Sequence, residues 1–316
     1  MRKGRAPMIN LAAATIGSGT DPPGTDHVAD FLRQASFETT RLTAADRDAA
    51  GMLAGGTSVY ISAIPGRSRE EQVTIAAELR ACGVEPVPHI AVREFPGADA
   101  VELHLSRLAA QAGVRRLLIV GGDRAEPAGP FHGAVELIES GLLQACGIEE
   151  IGVAGYPDGH PRITAEELDR ALAAKLEGAV QTGLRLHIVT QFAFAAEPIL
   201  RWIERLRDLG IDHPVRVGLA GPATLSSLLR FAQICGVKTS AQALTRTGLV
   251  KTMFGLTAPD RVIRPLAEAC AGEGLGEVTP HLYSFGGLAG AIRWAMAGAA
   301  GQIDFDQAGG FTVVAP

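Results

Sequence analysis

Two short apolar runs end in a carboxylate: "ASFE" closes on Glu38 and "RRLLIVGGD" closes on Asp123. In the second, two glycines separate the run from the acid, so nothing bulky crowds it. Close carboxylates in a partly apolar site resist ionising together. One then stays protonated near neutral pH and acts as a general acid, while the other remains anionic and stabilises a cation. That pairing suits a reaction passing through an iminium or an oxocarbenium ion. Other apolar runs end in Ser62, His89, Tyr156 followed by His160, Gln191 and Tyr283. Taken singly, each has a plainer explanation. A strand-end histidine satisfies its neighbours, an aspartate after Gly-Gly caps a turn or a helix, and Tyr156-Pro157 with His160-Pro161 stiffens a loop. Their common position at the ends of runs argues for one site.

The runs lie at 35–38, 58–62, 84–90, 115–122, 150–156, 185–191, 215–221 and 278–283. Helical patterns fill the intervals. Ser68 with Glu71 and Thr164 with Glu167 form S/T-x-x-E capping boxes. The second precedes Leu168, Leu172 and Leu176, whose four-residue spacing suits a helix lying on a sheet. Further helices are expected at 98–112, 133–145, 197–209 and 226–235, with extra helical material at 241–254 and 261–271 before the last strand. Strands that alternate with helices pair in parallel, because parallel neighbours need a crossover. Eight of them predict an α/β fold, a single-domain (β/α)8 TIM barrel whose chemistry sits at the C-terminal mouth of the strands. The expected division is an N-terminal extension at 1–34, the barrel at 35–300 and a tail at 301–316.

Composition excludes several classes. The net charge is −5 and no basic block larger than "RKGR" occurs, so a surface that neutralises nucleic-acid phosphates is not expected. Cys82, Cys146, Cys235 and Cys270 stand far apart without a CxxC. They read as small buried hydrophobes of a reducing compartment, not as disulfides or metal ligands. The N-terminus imitates a signal peptide, but Asn10 and Thr15 interrupt its apolar run and no clean A-x-A site follows. No apolar stretch is long enough to span a membrane. A cytoplasmic protein without membrane or nucleic-acid partners is the expectation.

The motifs, in this order, resemble the methylenetetrahydrofolate reductase family across 36–294. "SFE" at 36–38 is similar to the family's S-F-E-F-F-P, "PHI" at 88–90 to P-H-L, and "GGD" at 121–123 to R-G-D. "GYPDGHP" at 155–161 is similar to Y-P-x-x-H-P, "TQFAF" at 190–194 to T-Q-F-F-F, and "HLYSF" at 281–285 to H-F-Y-T. The resemblance implies a barrel that binds FAD and reduces 5,10-methylenetetrahydrofolate to 5-methyltetrahydrofolate, with electrons from NADH or NADPH. By position, Glu38 takes the place of the general acid that protonates folate N10 and opens the ring to a 5-iminium cation. Asp123 takes the place of the aspartate that stabilises this cation and contacts the pterin. Ser62, His89, Gly122 and Asp123 fall at cofactor positions, as do Tyr156, His160, Asp169 and, across a one-residue gap, Lys175. Gln191, Phe192, Leu225 and Tyr283 fall with Asp123 on the folate side. This mechanism requires burial to raise the Glu38 pKa toward working pH while Asp123 stays charged.

The chain departs from the family pattern at several points. Thr39 and Thr40 replace the Phe-Phe after the acid, Gly121 replaces the arginine of R-G-D, Leu225 replaces a stacking aromatic, and "SFGG" lacks an arginine after the last strand. No G-x-G-x-x-G fingerprint is present to compensate. Two alternatives therefore stay open: direct hydride transfer from the nicotinamide without flavin, and a non-redox methyltetrahydrofolate barrel, either a methyltransferase or a regulatory protein. A glycosidase fits the acid pair but not an aromatic content of 5%, since sugar platforms favour Trp and Tyr.

Overall fold

The computed structural model describes residues 25–234, 256–307 and 309–314. Eight parallel strands close a barrel: β1 (Ser36–Thr39), β2 (Ser58–Ile61), β3 (Glu85–Ala91), β4 (Arg116–Val120), β5 (Glu150–Gly155), β6 (Arg185–Thr190), β7 (Val215–Ala220) and β8 (Val278–Tyr283). They are hydrogen-bonded in chain order, and β8 returns to β1 with Glu38 opposite Tyr283. The (β/α)8 barrel expected from the alternation is the observed fold, and each of the eight strands lies where an apolar run predicts it.

The helices are α1 (Thr25–Arg33), α2 (Ala44–Ala50), α3 (Arg69–Ala81), α4 (Ala98–Ala112), α5 (Ala134–Glu139), α6 (Leu142–Ala145), α7 (Ala165–Thr182), α8 (Ala196–Asp208), α9 (Leu225–Ile234), α10 (Asp260–Cys270) and α11 (Leu288–Ala299). Thr164 and Glu167 close the expected capping box ahead of α7. Ser68 caps α3 through the Glu70 N–H, and Glu71 pairs with Arg67 instead. The single helix expected at 133–145 is two, because Gly141 takes φ 76° and breaks the run between α5 and α6. The helix expected at 241–254, like Cys235, lies outside the described residues. Helix α1 buries Val28, Phe31 and Leu32 in the main core. Strands Ile303–Phe305 and Phe311–Val313 form an antiparallel ribbon whose Phe311 stacks on Trp294 of α11.

Alternation along the strands sorts side chains into two environments. Phe37, Val59, Ile61, Ile90, Leu117, Ile119, Ile188 and Leu282 point outward and pack with the helices in the main core. The residues between them, including Glu38, Tyr60, His89, Leu118, His187 and His281, point into the barrel. Glycine makes room there: a Cβ on Gly152 would lie 2.7 Å from His187 Nε2, and one on Gly218 would lie 2.8 Å from Tyr283. The barrel interior is thus unusually polar for a packed layer. Among the described residues no helix is long and apolar enough to cross a membrane.

Candidate active site

Glu38 is buried near the C-terminal end of β1. Ser62 Oγ donates to its Oε1 at 2.5 Å, and His281 Nε2 lies 3.3 Å from Oε2. His89 Nε2 lies 3.4 Å from the same oxygen, without the alignment of a hydrogen bond. Burial pushes this carboxyl up, but the charge of His89 and the hydrogen bond from His281 outweigh it. Glu38 is held well below the ordinary carboxylate range. The expected upward shift is therefore corrected: the dominant neighbours are two imidazoles, not a second carboxylate. His281 is itself pushed down by burial, while Glu38 pulls it up.

A second polar group lies deeper. Tyr60 Oη is 2.6 Å from His187 Nε2, and His187 Nδ1 is 3.0 Å from Glu150 Oε1. Arg116 and Arg185 reach Glu150 Oε2 from the N-terminal end of the barrel, each at 3.2 Å. Burial lowers His187 to about 4, and its contact with Glu150 lowers that carboxyl to about 2. The Tyr60 ring lies between the two groups, edge-on to His187 on one side and to His281 and His89 on the other.

A cavity of about 1290 Å³ opens at the C-terminal ends of β2 to β5. Ser62 and His89, the partners of Glu38, line it together with Gly122, Asp123, Tyr156, His160 and Lys175. The polar strand ends singled out in these four units therefore converge. Gly122 takes φ 93°, and a Cβ there would meet that of Ala91 at 3.2 Å, which explains the glycine ahead of Asp123. Tyr156 packs edge-on against His160 with centroids 5.5 Å apart. Burial, then the charge of Asp123, raises its hydroxyl pKa. Lys175 projects from α7 into the cavity, makes no hydrogen bond or ion pair among the described residues, and is pushed down by burial. Asp169 does not join this group: it pairs with Arg205 of α8 and is absent from the cavity wall.

Apart from Asp123, the residues expected on the substrate side lie at the opposite part of the mouth, so the structure does not bring them together with it. Phe192 is buried among Phe194, Tyr283 and Phe285, and Leu225 packs against that cluster. The Tyr283 hydroxyl donates to Thr190 O at 3.0 Å, and the Gln191 N–H donates to Gly155 O. Phe231 stacks on Phe285 at 4.3 Å.

Three residues of the site carry no role in the sequence reading. His281 stands in the "HLYSF" motif but two positions before the strand end; period-two alternation from Tyr283 would have placed it inside the barrel. Ser36 precedes Glu38 by the same step. Arg93, just after β3, ties down the loop that carries Asp123. Its N–H donates to Gly121 O, and its guanidinium donates to His132 O at 2.7 Å and to Arg124 O at 3.1 Å.

Fold and site together define a TIM-barrel protein with a large mouth-side cavity and a titratable cluster at its edge. The family model for methylenetetrahydrofolate reductase matches residues 40–252, most of the sequence, and the chain belongs to that family. The match begins just after Glu38. The chain is 28% identical over 160 residues to 5,10-methylenetetrahydrofolate reductase of Pectobacterium carotovorum subsp. carotovorum, covering 49% of this chain and 50% of that protein. It is 28% identical over 163 residues to the enzyme of the same name from Escherichia coli, covering 50% and 51%. A probable methylenetetrahydrofolate reductase (NADPH) of Caenorhabditis elegans is 28% identical over 165 residues, covering 50% of this chain and 24% of that protein. The chain thus spans about half the length of the bacterial relatives it matches. Among solved structures, dihydropteroate synthase from Thermus thermophilus superposes with a TM-score of 0.42 at 19% identity, over 82% of this chain and 90% of that one.

Proposed function

We propose that this chain reduces 5,10-methylenetetrahydrofolate to 5-methyltetrahydrofolate with NADH or NADPH through bound FAD. The observation that carries the proposal is the cluster of Glu38, His89 and His281 beside a cavity that His89 and Asp123 both line. His89 Nε2, on the cavity wall 3.4 Å from Glu38 Oε2, is the neighbour through which Glu38 would take up the proton it donates. Delivered to folate N10, that proton lets the bond from the bridging carbon to N10 break, leaving the carbon as an iminium on N5. Hydride at this carbon completes the methyl group. The Glu38 carboxylate left behind is stabilised by the Ser62 hydroxyl and by His281, and general acid help of this kind is worth about 10²–10⁴ in rate. Asp123, on the loop that Arg93 ties down, supplies a fixed negative charge to the cation.

The cavity suits a large anionic cofactor. It exceeds the volume of ordinary small-ligand pockets, roughly 300–1,000 Å³. Its wall also carries Lys175, which has no partner among the described residues and which an anion would complete. Tyr156, His160 and Lys175, with the bare backbone of Gly122, would hold FAD. When bound, the flavin supplies a two-electron relay between nicotinamide and folate. A second reading rests on Gly121, where the family has arginine: hydride passes directly from the nicotinamide to the folate.

The visible spectrum of the purified protein, followed by NAD(P)H oxidation with menadione and with methylenetetrahydrofolate, separates the readings. Yellow protein active with both acceptors is the expected result. Colourless protein active with the folate alone replaces it with the direct route. Protein inactive with the folate under both conditions contradicts reductase activity.

A further inference from the structure

Beneath Glu38 lies a hydrogen-bond chain that the reaction above does not use directly. His281 is fully buried, and its Nε2 faces Glu38 Oε2 at 3.3 Å. Its other nitrogen, Nδ1, lies 2.9 Å from Ser36 Oγ, which is also buried. The Ser36 hydroxyl has two acceptors within reach, Nδ1 and Pro280 O, the latter at 3.4 Å. When the hydroxyl donates to the nearer one, Nδ1 is the acceptor. With Nδ1 filled as an acceptor, the single proton of a neutral imidazole sits on Nε2 and points at the carboxylate.

We propose that Ser36 and His281 are positioning residues that set the acid strength of Glu38: the serine fixes the Nε2–H tautomer of His281, and that N–H stabilises the Glu38 carboxylate as it gives up its proton. The proposal rests on Glu38 being the proton donor of the reaction proposed above. The groups facing this chain are consistent with a neutral His281. Arg216 of β7 and His89 of β3 both disfavour a positive charge on the ring, and Glu38 alone favours it. Tyr60 of β2 and Tyr283 of β8 close the remaining sides with ring centroids 4.6 Å and 5.0 Å away. The sealed position separates the two histidines by duty. His89 lines the cavity, whereas His281 is fully buried and acts only through Glu38.

Replacing Ser36 by alanine frees the tautomer. A proton on Nδ1 would leave a bare Nε2 lone pair against the carboxylate, and Glu38 would hold its proton more tightly. A hydrogen bond to a charged group is worth enough that its loss moves the titration by about one pH unit or more. In Ser36→Ala, the pH above which folate reduction falls off is therefore expected to move upward by about one unit, while Ser36→Thr, which keeps the hydroxyl, restores the native profile. A purely structural role for Ser36 would lower the rate at every pH without moving the profile, and that result overturns the proposal. Nitrogen-15 NMR of the wild-type protein reads the tautomer without any substrate. The Nε2–H form is expected; a proton on Nδ1 overturns the proposal even if folate reduction is observed. Wild-type protein that shows the Nε2–H form but does not turn over folate contradicts the reductase reading instead.

Discussion

At the N-terminal end of the barrel Glu150 faces His187, and near the mouth Glu38 faces His281 and His89. Both groups are buried carboxylate–imidazole arrangements on the barrel axis, separated by the ring of Tyr60. They differ in what sits on the far side of each partner. Arg116 and Arg185 neutralise Glu150, and the Tyr60 hydroxyl meets His187 Nε2, so the pair is surrounded by fixed groups. No guanidinium among the described residues reaches Glu38. Its partners are a hydroxyl and two imidazoles, one of them open to the cavity. The lesson is that a buried acid becomes useful when its compensating neighbours can exchange protons, and inert when they are permanently charged.

The contrast is open to direct attack. Glu38→Gln is expected to lower folate reduction by about 10²–10⁴. Steady-state turnover within about tenfold of wild type would place the acid elsewhere. Asp123→Asn should cost about 10²-fold in the same assay, the scale for one preorganised charge facing a developing ion. Unchanged turnover would remove Asp123 from the chemistry. At the deeper cluster the effect should fall on stability alone. Tyr60→Phe leaves His187 Nε2 without its donor and is expected to destabilise the fold by about 1–3 kcal/mol in urea titration, with the pH profile of turnover unmoved. A displaced profile would mean that the two clusters are coupled through the ring.

A further effect is on acid stability. His187 lies near 4 when folded against an ordinary 6.5, and Glu150 lies near 2 against 4.5. Over those windows both groups bind fewer protons folded than unfolded, so stability present at neutral pH is lost as the pH falls. The loss from His187 runs from about pH 6.5 to 4, and that from Glu150 from about 4.5 to 2. A denaturation midpoint that stays constant between about pH 7 and pH 4 would contradict the buried neutral imidazole.

The barrel was legible because parallel strands buried on both sides read as apolar runs, and because α7 announces its start with Thr164 and Glu167. Helix α11 was not legible. Its buried Leu288, Ala291, Ile292 and Ala295 alternate with other Ala and Gly residues, so no polar face marks the period. The cavity-side residues Ser62, His89, Asp123, Tyr156 and His160 were readable from strand ends alone. Asp169 was not, because position on a helix does not say which face turns inward, and Arg205 of the neighbouring helix claims it. The charge state of Glu38 was also hidden. It depends on His281, which is 243 residues away and meets Glu38 only because β8 closes on β1.

The central claim is that Glu38 gives the folate its proton and takes no part in accepting electrons from the nicotinamide. Rapid mixing of Glu38→Gln separates the two halves of the reaction. Reduction of bound flavin by NAD(P)H should proceed at the wild-type rate, and reoxidation by methylenetetrahydrofolate should be lost. Equal slowing of both halves would contradict the account.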